Sequence, residues 1–186
     1  MTNEQQLTRL QDAYRQMVHG YAPHLTTAAT LTLKQHARIR VRRFENVDDE
    51  HYEFCQKLND EILDSTIRHF CARLTRYLYG NQAAHPNKQH WAKPLVIVAI
   101  EGRKWGKRPH LHVAVGNVPI EKQDRIGHLI KKAWHDCDFG NQQVRVEPLT
   151  SACGWLDYMT KDVEYRDADV VAIQHASIPE IIQRSI

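Results

Sequence analysis

No stretch of this 186-residue chain approaches the ~20 consecutive apolar residues that span a bilayer, so no membrane partner is expected. The first residues, MTNEQQLTRLQDAYRQ, are polar and lack a signal-peptide core, which predicts a cytoplasmic protein. Cysteine is sparse. Cys55, Cys71, Cys137 and Cys153 form no CxxC pair, which argues against a zinc ribbon or a thioredoxin-type site. Reduced and mostly buried thiols are expected instead. A GxxxxGK[ST] run is missing, so any helicase must come from elsewhere, such as the host. Repeats, low-complexity runs and Gly/Ser-rich linkers are missing too. What remains is one domain over residues 1–186, with an N-terminal helix extension at 1–20 and a tail at 166–186.

Charge is also modest. A net +3 does not by itself point to nucleic acid. The distribution is more informative, because Lys34, Arg38, Arg40, Arg42 and Arg43 crowd one stretch, and Arg103, Lys104, Lys107 and Arg108 another. Such clusters can form a phosphate footprint, although each alone more often marks a solvated face.

Residues 3–19 carry Leu7, Leu10, Tyr14, Met17 and Val18 at helical spacing. The Thr-rich run 25–34 predicts a strand, which 37–44 either continues or joins as a basic hairpin partner. Apolar residues from Phe54 to Leu78 recur every three or four positions, predicting one helix over 50–79. Residues 94–101 and 110–115 read as strands, 120–136 as a helix, 143–149 as a strand and 151–164 as a short helix. The order predicts an α+β fold, a central antiparallel sheet flanked by helices.

His110 and His112 stand two apart on a strand, so both imidazoles lie on one face. If 102–109 form the connecting loop, Glu101 falls opposite His110. Two nitrogens and a carboxylate with open positions suit a Lewis-acid metal site. Alone, an HxH pair more often marks two ordinary strand histidines than a metal site; the preceding apolar strand ending in Glu101 and the loop with Pro109 bring the two readings level. Tyr158 and Lys161, at i and i+3, share a helix face. A phenol that ionises near 10 is a poor nucleophile when free, and a neighbouring cation favours its phenolate. An amphipathic helix with a half-buried tyrosine is the plainer reading of YxxK alone.

Taken in order, these motifs resemble the HUH endonucleases (U being hydrophobic), which process single-stranded DNA. TLTLK at 30–34 is similar to the first motif, RPHLHVA at 108–114 to the second, and YMTK at 158–161 to the third. The resemblance covers roughly residues 24–165, which would be the catalytic core. It implies an RRM-like palm, a divalent metal (Mg²⁺ or Mn²⁺) on Glu101, His110 and His112, a nucleophilic Tyr158 and an assisting Lys161. The tyrosine follows the histidines, unlike in conjugative relaxases, and YxxK is not characteristic of the single-tyrosine transposases that share this order. The branch implied is the rolling-circle replication initiators. Tyr165 lies seven residues beyond Tyr158, unlike the closer pair of two-tyrosine initiators, so a single nucleophile is assigned.

The expected partner is single-stranded or hairpin DNA at a replication origin. Arg38, Arg40, Arg42, Arg43, Lys104 and Lys107 are candidates for backbone contacts, with Trp105 stacking on a base. Trp134 and Trp155 are read as core residues, and Asp157 and Asp162 as exposed acids. Three other readings stay open: a single-tyrosine transposase-type nuclease, a metal hydrolase or oxygenase without a tyrosine nucleophile, and a non-catalytic nucleic-acid-binding module.

Overall fold

The run LVIVAIE is apolar at nearly every position, so a strand made of it must be covered on both faces. In a computed structural model of the chain it is. The structure describes residues 3–42, 51–85, 87–88, 90–102, 108–161 and 176–184, with backbone alone at 3–8, 10–11, 41–42 and 51–52. A four-stranded antiparallel sheet has the order β4-β5-β1-β6, from β1 (Leu25–Leu33), β4 (Leu95–Glu101), β5 (His110–Gly116) and β6 (Gly140–Pro148). The fold is α+β, with helices on both sides of this sheet.

One core lies between the sheet and helices α2 (Asp60–Tyr79) and α3 (Ile126–His135). Leu31, Val98, Ile100, Leu111 and Val113 meet Ile67, Phe70, Ile130 and Trp134 there. The second core covers the opposite face. Ile97, Ala99 and Ala114 meet Val18 of α1 (Asn3–His19) and Leu156 and Met159 of α4 (Ala152–Thr160). Each fully buried Leu, Ile, Val or Phe contributes about 1.5–3 kcal/mol. β6 is covered on one side only, and its pattern shows it: Val144 and Val146 pack inward while Gln143, Arg145 and Glu147 are exposed.

Two helix expectations change. The helix predicted over 50–79 begins only at Asp60. Residues His51–Lys57 form strand β3, paired along its full length with β2 (His36–Arg42) in a separate hairpin. Phe54 mimics the helical period, but it pairs with Ile39 across that hairpin. The true helix start is marked by Asn59, whose side chain accepts from the Ile62 amide at 2.8 Å, with Asp60 and Glu61 in the first turn. Residues Ile120–Arg125 form a 3₁₀ turn ahead of α3.

The tail is less loose than its pattern predicts. Ser177 and Val96 exchange both backbone hydrogen bonds, so the tail pairs with the free edge of β4. Ile182 of α5 (Glu180–Gln183) is buried in the second core. The thiols also differ from expectation: Cys137 is buried and Cys71 half-buried, but Cys55 and Cys153 are exposed. No helix among the described residues is long and apolar enough to cross a membrane.

Candidate metal and tyrosine site

Strand register builds the first half of the site. Glu101, the last residue of β4, lies opposite His110, the first of β5. Gly102 follows at φ 88, a left-handed conformation that glycine adopts freely. His112 lies two residues on, so both imidazoles project from the face that α1 and α4 cover. On the other side of β5, Thr32 pairs with His110 and Thr30 with His112.

Oε2 of Glu101 is the meeting point. His112 Nε2 lies 2.8 Å from it, Lys161 Nζ 3.1 Å and His110 Nε2 3.5 Å. One donor atom from each of Glu101, His110 and His112 lies within 4.8 Å of the others. Ligands about 2.1 Å from an octahedral ion stand about 3 Å apart, so this spacing suits a small divalent cation. The remaining ring nitrogens are engaged elsewhere. His112 Nδ1 is 3.2 Å from Thr30 Oγ1, and His110 Nδ1 is 3.3 Å from the Arg108 carbonyl oxygen. These partners orient both rings with Nε2 toward the carboxylate, as outer-shell groups do at histidine metal sites. The donor set therefore fits a divalent metal.

The electrostatics agree. Burial pushes the His112 pKa down, and Glu101 only partly opposes it. The ring is thus neutral near pH 7, the form that ligates metal. Burial pushes the Glu101 carboxyl up, but hydrogen bonds from His112 and Lys161 outweigh it and hold the group below its ordinary range. Lys161 loses some charge stability to burial and regains more from Tyr158 and Glu101, so its pKa rises. It remains an ammonium at neutral pH.

The second half comes from α4. Ser151 caps the helix by accepting from the Gly154 amide at 3.1 Å. Its inner side buries Leu156, Met159 and Thr160, which leaves Tyr158 exposed over the sheet. The Tyr158 ring meets the His112 ring edge-on, centroids 4.9 Å apart. Trp155 stacks against Tyr158 at 5.5 Å and 23°, and its Nε1 donates to the Val113 carbonyl at 3.3 Å. Lys161 Nζ sits 3.7 Å from the Tyr158 ring centroid. Lys161 therefore joins the tyrosine to the metal-donor cluster.

All five core site residues expected from sequence converge here: Glu101, His110, His112, Tyr158 and Lys161. Two of the expected DNA contacts lie apart from them. Arg38 and Arg40 are exposed on β2, in the separate hairpin. The side chain of Arg42, and Arg43, Lys104, Trp105 and Lys107, lie outside the described residues, as does Asp162.

Sequence reading missed three contributors. Thr30 holds His112, and its signal was the first strand motif. Trp155 is half-buried as expected of a core residue, but it also forms one wall of the tyrosine's seat; the i, i+3 spacing to Tyr158 was the clue. Asp157 is more than an exposed acid, because His19 Nε2 donates to its Oδ1 at 3.0 Å. Nothing in the local pattern announces a contact across so much chain. Trp134 is the core residue expected, fully buried with Nε1 donating to the Thr32 carbonyl at 3.0 Å. No protein-family model matches the chain, and neither the curated proteins nor the solved structures contain a significant match to it.

Proposed function

We propose that this chain is a metal-dependent DNA nicking and joining enzyme with Tyr158 as its nucleophile. The observation that carries the reading is the placement of Tyr158. Its ring lies 4.9 Å from that of His112, and Lys161 reaches from Tyr158 to Glu101. The resemblance to HUH replication initiators supports the same assignment, in the motif order histidines, then tyrosine, then lysine.

In this reading the DNA phosphate sits between the two halves of the site. Glu101, His110 and His112 hold a divalent cation, Mg²⁺ or Mn²⁺, that when bound supplies Lewis-acid polarisation of a non-bridging phosphate oxygen. Lys161 lends positive charge beside the phenol and holds the phosphate under attack. The Tyr158 oxygen forms a bond to phosphorus as the bond to the 3′ oxygen breaks. The phenolic proton ends on the departing 3′ hydroxyl. The product is a 5′-phosphotyrosine, which preserves the phosphoester bond for rejoining. The substrate is single-stranded DNA or an extruded hairpin, as in the resembled family, and the exposure of Tyr158 leaves it within reach of a phosphate. Initiation of rolling-circle replication of a plasmid or phage is the role this chemistry serves in the resembled family.

The test is covalent capture. Labelled single-stranded oligonucleotides from the origin of the chain's own replicon are incubated with protein and Mn²⁺, then resolved on a denaturing gel. A slower species that disappears in Tyr158→Phe and with EDTA is expected. Folded, metal-loaded protein that yields none on its cognate DNA removes the nickase reading. A second reading has one observation behind it: two histidines and a carboxylate also compose non-haem iron sites. Iron-dependent oxygen consumption that survives Tyr158→Phe would favour it.

A further inference from the structure

Asp157 directly precedes Tyr158 on α4, and its carboxylate is gripped by α1. Oδ1 accepts a hydrogen bond from His19 Nε2 at 3.0 Å, and Arg15 Nε stands 3.7 Å from the same oxygen. Arg15 and His19 are four residues apart, so they share one face of α1. Alongside them Val18 is buried with Leu156 and Met159 of α4.

We propose that Asp157 is a positioning residue: the α1 grip on it fixes the rotation of α4 and so aims the Tyr158 hydroxyl. The proposal rests on the tyrosine-nucleophile reading above. Apolar contacts such as those of Leu156 and Met159 are non-directional and resist separation more than rotation. Directional contacts must set the angle. α4 has nine residues, and the chain around it holds to its surroundings through Trp155 on β5, Lys161 on Glu101 and Asp157 on α1. Of these only the Asp157 contact belongs to neither the sheet nor the metal-donor cluster. A turn of ~10° moves a hydroxyl roughly 9 Å from the helix axis by about 1.5 Å, and a misplacement near 1 Å can slow a reaction about 100-fold. The side chains of His19 and Asp157 are 34% and 49% exposed, and pairs so exposed add little to stability. Its loss is expected in the rate before the melting point.

The test places 3-fluorotyrosine at position 158 and compares Asp157→Ala, Asp157→Asn and His19→Ala with the parent. ¹⁹F spectra, melting points, Mn²⁺ affinity, oligonucleotide affinity and adduct rate are read for each. Expected are a moved or broadened ¹⁹F signal and an adduct rate at least ~10-fold lower in Asp157→Ala and His19→Ala, with both affinities within about twofold. Combining the two substitutions should add little further loss, as for partners in one contact. Asp157→Asn keeps an oxygen for His19 and recovers most of the rate. An unmoved ¹⁹F signal with a rate within about twofold of the parent overturns the proposal, as does a lower melting point alone. If the parent forms no adduct, the nickase reading fails, and the ¹⁹F signal by itself decides whether the grip positions Tyr158. Should Asp157→Ala not fold, His19→Ala carries the test.

Discussion

The ring of Tyr158 stands edge-on to the ring of His112, centroids 4.9 Å apart and planes 80° to each other. One belongs to a helix and the other to a strand, and their sequence motifs are each too short to be decisive. Their approach makes a single site of them. Several measurable consequences follow from how that site is supported.

Thr30 should control metal affinity without touching the metal. Its hydroxyl is the partner of His112 Nδ1. Thr30→Val keeps the shape and removes that partner. Isothermal titration with Mn²⁺ should show affinity lower by roughly 10–100-fold, and Thr30→Ser should restore it. Equal affinity in Thr30→Val would mean that packing alone orients the ring.

Lys161 should oppose cation binding while assisting the reaction. Its ammonium shares Glu101 Oε2 with His110 and His112. Lys161→Met removes a like charge from the cation's neighbourhood. Mn²⁺ affinity is expected to rise severalfold while adduct formation falls. A drop in both quantities would assign Lys161 a supporting role in the metal site instead.

Acid should destabilise the protein in two stages when EDTA keeps metal away. His112 has a folded-state pKa below its ordinary 6.5, so the unfolded chain takes up the proton first. Stability is lost as pH falls through about 6.5 toward the folded value. The Glu101 carboxyl is held below its ordinary 4.5, so its contribution is present above that pH and lost as pH falls through the folded value. Urea midpoints measured between pH 8 and pH 3 should decline in both windows. His112→Gln should flatten the first and weaken the second, because His112 is one of the donors that hold Glu101 low.

Arg38 and Arg40 test the phosphate footprint. Both are exposed, and the cross-strand partners of their residues are Cys55 and Glu53. If each neutralises one phosphate, alanine at both should reduce the slope of log affinity against log salt by about 1.4 on single-stranded DNA. An unchanged slope would remove the β2–β3 hairpin from the DNA path.

Much of the architecture was legible because burial on two faces writes itself plainly. LVIVAIE admits no exposed surface, and the alternation in β6 shows its one covered side. The convergence of Glu101, His110 and His112 was legible because strand periodicity and one hairpin are local geometry. Phe54 misled because a single aromatic can satisfy a helical period while pairing across a hairpin, and Asn59 was the better boundary mark. The Asp157–His19 contact was invisible, since it joins residues 138 apart through tertiary packing alone.

That separation also sets an order of assembly. Glu101, His110 and His112 lie on adjacent strands of one hairpin, whose ends meet after closing only a short loop. Tyr158 reaches its seat only after α4 has found both the sheet and a helix from the far end of the chain. Local contacts form ahead of distant ones because less chain entropy must be surrendered. A chain still folding would thus gather its carboxylate and two histidines before Tyr158 is in place, and on the proposed function it would be unarmed until the last contacts close.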